Sequence, residues 1–103
     1  MTEKQKEQYK IRYSLDDYMC QRCCNPASQI SHRIAKTKVN YKKYGKDIID
    51  HNINLVSACC LECNDSFNIG NNPGKCNLLI EFITRNYNEI ISSEKINKLL
   101  ENY

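Results

Sequence analysis

The sequence predicts one α+β domain, on three observations. Residues 28–34, SQISHRI, alternate: Ile30, His32 and Ile34 fall on one side, Ser31 and Arg33 on the other, which is the period of a strand. Cys76, Leu79, Ile83, Tyr87 and Ile90 recur at helical spacing. Two cysteine groups, around Cys20–Cys23 and Cys59–Cys63, bracket the segment between them. The 103 residues suffice for one compact domain with a modest core, and not for two. Residues 14–75 read as its core and 76–103 as a C-terminal helical extension.

Residues 2–13 read as a polar helical lead-in and 14–19 as a connector. Cys20-Gln-Arg-Cys23 is a tight spacing that points both thiolates the same way, and Asn25-Pro26 is a turn signal. After the first strand, Arg33 to Lys46 reads as a basic loop with Gly45 as its breaker. Residues 53–58, INLVSA, read as a second short strand running into the cysteines, with Asn54 at its start. Asn64 to Ile69 is a short helix stopped by Gly70. Asn72-Pro73 is an N-cap followed by proline at the first helical position, opening a helix to about Ile91. Ser92-Ser93 interrupts it, and Ile96, Leu99, Leu100 and Tyr103 share one face of a last amphipathic helix. That face serves either a homodimer, a protein partner or the domain itself.

No apolar run is long enough to span a bilayer, so no membrane partner is expected. The N-terminus lacks an apolar h-region, so no signal peptide is read and the expected setting is cytoplasmic. Seven cysteines leave one over if paired as disulfides, and a reducing setting favours zinc. Zinc takes four thiolates in a tetrahedron, and a closed all-cysteine site is structural. Cys20, Cys23 and Cys63 supply three ligands, and either Cys59 or Cys60 the fourth. The leftover thiol, Cys24 and Cys76 read as packing residues. The net charge is only +3, but Arg33 to Lys46 holds six basic residues and no acid. With Tyr41 and Tyr44 inside it, that segment suits a polyanion such as nucleic acid.

The motifs CQRC, SHRI, NLVSAC and CND, in that order, resemble the HNH or ββα-metal endonucleases, in the asparagine variant found in phage and bacteria. The resemblance covers residues 20–75. It implies a zinc-stabilised hairpin-and-helix core and a metal-dependent DNA endonuclease. His32 matches the general base that activates water, and a histidine near its ordinary pKa can do so at neutral pH. Asn54 matches the asparagine that braces the hairpin loop. Asn64 matches the ligand to a divalent cation, and its amide oxygen suits Mg²⁺ or Mn²⁺. The family's spacing favours Cys59 over Cys60 as zinc ligand. Many relatives carry Asp or His before the base, where this chain has Ser31, so His51 is the candidate for the missing cation ligand. Arg33, Lys36, Lys38, Lys42, Lys43 and Lys46 are expected to hold DNA phosphates. The alternative is a catalytically degenerate, zinc-stabilised nucleic-acid-binding module.

Overall fold

Thr2 starts the first helix. Its side-chain oxygen accepts from the Gln5 backbone N–H, and the Gln5 side chain accepts from the Thr2 N–H, a capping box over α1 (Glu3–Leu15). The computed structural model describes residues 1–101. α1 closes with a Schellman turn: the Tyr18 N–H reaches the Tyr13 carbonyl at 2.9 Å and the Asp17 N–H the Ser14 carbonyl at 3.1 Å. Asp17 and Tyr18 stand in the left-handed region there, at φ 53° and 57°.

The sheet has two strands, β1 (Gln29–His32) and β2 (Leu55–Ala58), antiparallel, with Gln29 opposite Ala58 and His32 opposite Leu55. Both are shorter than the sequence alternation suggests, for a specific reason. The Asn54 side chain takes the place of the next ladder rung: its Oδ1 accepts from the Ile34 N–H at 2.9 Å and its Nδ2 donates to the Ile34 carbonyl at 3.0 Å. Asn54 therefore ends a 3₁₀ turn (Asn52–Asn54) rather than opening a strand.

The segment expected as a basic loop is helical. Thr37 caps α2 (Lys38–Tyr44) by accepting from the Asn40 N–H, and α3 (Lys46–Ile49) follows after Gly45 at φ 90°. Tyr41, Tyr44 and Ile48, spaced three and four apart, give these helices an apolar face against the core. α4 (Leu61–Ser66) begins three residues earlier than expected, with Cys60 as its N-cap. Asn72 caps α5 (Pro73–Arg85), accepting from the Lys75 N–H. α5 stops well short of Ile91, because the Asn86 side chain bonds back to the Phe82 carbonyl at 2.8 Å. α6 (Ser93–Glu101) completes the described chain, and Tyr103 lies outside it.

The C-terminal helices are part of the core. Leu79, Ile83, Ile96 and Leu100 pack with Ile34, Ile49 and Ile53, all nearly or fully buried. Each contributes about 1.5–3 kcal/mol through apolar burial. Among the described residues of the α6 stripe, Ile96 and Leu100 are thus covered by the chain itself.

α1 joins this core through polar groups. Gln8 Oε1 accepts from the Asn52 N–H at 2.7 Å. Arg12 is 0% exposed; its Nε donates to the Asn52 carbonyl at 3.0 Å and its Nη1 to Ser93 Oγ at 3.1 Å. Asp16 lies 3.7 Å from Arg12 Nη1, and its Oδ2 accepts from the Ser57 N–H at 2.9 Å. Removing one member of a buried ion pair strands the other. Arg12→Met is expected to lower stability by about 3–5 kcal/mol in urea denaturation. Ser14→Ala, at an exposed position of the same helix, is expected to change it by less than about 0.5 kcal/mol.

Candidate functional site

The two cysteine groups meet at the open end of the hairpin. The Sγ atoms of Cys20, Cys23, Cys59 and Cys63 all lie within 4.8 Å of one another. Cys23 and Cys59 are 3.2 Å apart, Cys59 and Cys63 3.7 Å, Cys63 and Cys23 4.0 Å. Sulfurs at about 2.3 Å from a tetrahedral ion stand about 3.8 Å apart, so this cluster can hold a metal ion such as zinc. Among the described residues it is the one group of three or more His, Cys, Asp or Glu side chains close enough to share an ion.

The thiols of the cluster differ in acidity. Burial resists ionisation of Cys20, but backbone N–H groups of Cys23 and Arg22 outweigh it and bring the thiol down to about 6. Cys63, pushed up mainly by burial to about 11, keeps its proton unless a cation takes the proton's place. Cys60 stands outside the cluster. It is exposed rather than buried, and so is Cys24, which sits at φ 64°. Only Cys76 is the packing residue expected, donating from Sγ to the Ile69 carbonyl at 3.3 Å.

Beside the cluster, β1 and α4 form a shallow cleft of about 280 Å³ lined by Ser31, His32, Lys36, Asn64, Asp65 and their neighbours. The cysteine cluster bears on its geometry: Cys63 and Asn64 are consecutive on α4, so whatever fixes Cys63 fixes Asn64. The Asn64 side chain donates from Nδ2 to Gln29 Oε1 at 3.1 Å, and its Oδ1 has no protein partner among the described residues. Ser31 Oγ donates to the Asn64 carbonyl at 2.8 Å. Ser31 thus ties β1 to α4, and its hydroxyl proton is already committed.

His32 is nearly buried, with Nε2 3.2 Å from Asp50 Oδ1. The same Oδ1 accepts from the Tyr41 hydroxyl at 2.9 Å, and Oδ2 accepts from Gln5 Nε2 at 3.0 Å. An acceptor on Nε2 selects the tautomer that leaves Nδ1 with a lone pair. Nδ1 has no protein partner among the described residues. Burial moves the His32 pKa below 6.5, with Asp50 acting in the opposite direction. Burial and the bond to Asp50 push the Tyr41 phenol up to about 12, so it remains a donor at neutral pH.

Asn54 is fully buried and touches none of these groups. Besides its bonds to Ile34, Nδ2 donates to the Ile49 carbonyl at 2.7 Å, which holds the two ends of the α2–α3 excursion together. Its role is to position residues 33–49 relative to the strands.

Two candidates are corrected. His51 is buried with both ring nitrogens engaged: Nδ1 accepts from the Ile53 N–H at 3.1 Å and Nε2 donates to the Tyr87 carbonyl at 2.7 Å. No lone pair remains for a cation, and the ring is a structural cap. Arg33 is also buried, stacked 5.7 Å from the centre of the Phe67 ring, with Nε and Nη2 unpaired. Burial, then Arg12, pulls its pKa down to about 10. It cannot reach a phosphate on the surface. Lys36, Lys38, Lys42, Lys43 and Lys46 are exposed on the α2–α3 side, where Lys43 lies over Tyr44 and Lys46 over Tyr41.

Sequence reading missed Asp50, Tyr41 and Gln5 as one hydrogen-bonded group. The available signal was an acid set between Ile48–Ile49 and Ile53, where an unpartnered carboxylate is costly. A larger groove of about 540 Å³ lies between α1 and α3 on the far side of Asp50, lined by Thr2, Lys4, Glu7, Lys46, Asp47 and Tyr87 among others. No described helix is long and apolar enough to cross a membrane.

Searches among protein families, characterised proteins and solved structures return no match to this chain. The cluster is tested by metal content: Cys63→Ser is expected to lose the bound ion and Cys60→Ser to retain one per chain. Cobalt substitution, read by thiolate charge-transfer absorption, checks both.

Proposed function

We propose that the chain is a small metal-dependent endonuclease that hydrolyses phosphodiester bonds in DNA, built on an HNH-like core with structural zinc in the four-cysteine cluster. The observation that carries the reading is His32: its Nε2 is held by Asp50, its Nδ1 is unpartnered among the described residues, and it shares a cleft with Asn64. In this reading Nδ1 takes a proton from water as the water attacks phosphorus. Asp50 holds the ring and its tautomer and stabilises the imidazolium that forms. Asn64 Oδ1 and the Asp65 carboxylate are hard donors at the cleft, the chemistry that Mg²⁺ or Mn²⁺ prefers. Such a cation, when bound, supplies Lewis-acid stabilisation of the leaving oxyanion. Lys36 at the cleft and the exposed lysines of α2 and α3 provide sequence-independent phosphate contacts.

One observation favours the second reading, a nucleic-acid-binding module without catalysis. With Ser31 committed to the α4 backbone and His51 capped, few protein ligands remain for a cation. The same experiment decides between them. Supercoiled plasmid is incubated with Mg²⁺ or Mn²⁺ and nicking is measured. The endonuclease is expected to nick, and His32→Ala to lose nicking while keeping its fold and zinc. A folded, zinc-loaded parent that binds DNA and never nicks selects the module instead.

Acidity provides an independent check. The base works when neutral, and burial lowers its pKa, so the rate is expected to rise with pH and level off, with a midpoint below 6.5. Asp50→Asn removes the group that raises that pKa. It is expected to move the midpoint lower still and to cut the plateau by about 10²- to 10⁴-fold. An unchanged profile removes Asp50 from the reaction.

A further inference from the structure

The α1 helix carries an aromatic row that begins at the candidate base. The Tyr9 ring meets His32 edge-on, with centroids 6.0 Å apart. Tyr13 is one turn further along the same face, at i+4. Tyr18 then lies parallel to Tyr13, with centroids 6.1 Å apart and planes 5° from parallel. At its far end the Tyr18 carbonyl accepts from the Ala27 N–H at 2.8 Å, in the segment that leads into β1.

The end of the row is open. Tyr18 is 63% exposed and sits at φ 57°, a conformation that side-chain-bearing residues rarely adopt. The Schellman turn accounts for its contact with Tyr13, because residues in those positions commonly touch. It leaves much of the Tyr18 ring in water. Two exposed cations flank the rings: Lys6 precedes Tyr9 by three residues and Lys10 precedes Tyr13 by three, so the two lysines run parallel to the row, with Glu3 and Glu7 exposed on the same helix. Lys6 lies 3.5 Å from Glu3. The other side of the row is the buried polar stripe of Gln5, Arg12 and Asp16.

Aromatic rings beside a line of cations are the two components of single-strand recognition: bases stack on the rings and the backbone follows the charge. A duplex keeps its bases stacked on each other and offers none to Tyr18. We propose that this face binds single-stranded nucleic acid, one base stacking on Tyr18 and the phosphates passing Lys10 and Lys6 toward His32. The proposal rests on the nucleic-acid reading above and adds the substrate class: a single-stranded or unpaired segment leading into the cleft.

The chain has no tryptophan, so Tyr18→Trp introduces a sole reporter. Without divalent metal, a single-stranded oligonucleotide is expected to quench its fluorescence saturably, and the matched duplex to do so at least tenfold more weakly. Anisotropy with a labelled single strand is expected to show about tenfold weaker binding for Tyr18→Ala, with Tyr18→Phe restoring it. Asp17→Asn, which removes the acid beside the ring, is expected to tighten binding. If Tyr18→Ala lowers the melting temperature but leaves affinity unchanged, the stack is only a helix cap and the proposal fails. It fails too if the duplex quenches as well as the single strand. Single-strand binding by a parent that never cuts preserves this site and removes the nuclease. Cutting by a parent whose affinity ignores Tyr18 does the reverse.

Discussion

The complete burial of one guanidinium, Arg12, is the constraint on which most of the architecture depends. A buried arginine is costly to the extent that its donors lack acceptors, because water is not there to supply them, and Arg12, unlike Arg33, is well supplied. Its partners come from three places: Asn52 in the 3₁₀ turn, Ser93 at the start of α6, and Asp16 one turn on, which itself holds the β2 backbone at Ser57. Satisfying Arg12 therefore brings both ends of the described chain against the second strand. Once α1 is locked there, Gln5 meets Asp50 and Tyr9 lies beside His32. The cleft owes its histidine geometry to an ion pair that never touches it.

The other half of the cleft is positioned independently. The cysteine cluster joins the turn after α1 to the N-terminal end of α4, and Ser31 pins the middle of that helix to β1. The cysteine cluster thus positions Asn64, and a helix–turn polar network positions His32. The two halves share β1, where Ser31 faces one and His32 the other, since neighbouring strand residues point to opposite faces.

Cysteine spacing, the two short strands and the Asn72-Pro73 start of α5 were legible in the sequence because each rests on local rules: ligand spacing, alternation and capping. Three other features were not. α1 and its C-cap turn Gln5, Gln8, Arg12 and Asp16 toward the domain, a stripe at helical spacing made of half-buried and buried polar residues, which a search for apolar periodicity passes over. The lysine count hid the Tyr41, Tyr44 and Ile48 face of α2 and α3. Arg33 reads as a surface cation only until its tertiary surroundings are known; it directly follows β1, and its side chain is turned inward, onto Phe67. His32 and Asn64 stood out from motif order alone, while Asp50 is set by a tertiary contact across 18 positions and has no counterpart in local pattern.

The placement of the cysteine cluster bears on how the chain finds its fold. Four-residue strands joined through a long helical excursion make a pairing that closes late and holds weakly by itself. A slip of one position would turn every strand side chain to the opposite face. Because Cys59 directly follows Ala58, the residue opposite Gln29, an ion shared by Cys59, Cys63, Cys20 and Cys23 would fasten the hairpin at its open end and favour one alignment. An ion held there would be a clasp for the register, deciding which way the sheet faces the helices that pack on it.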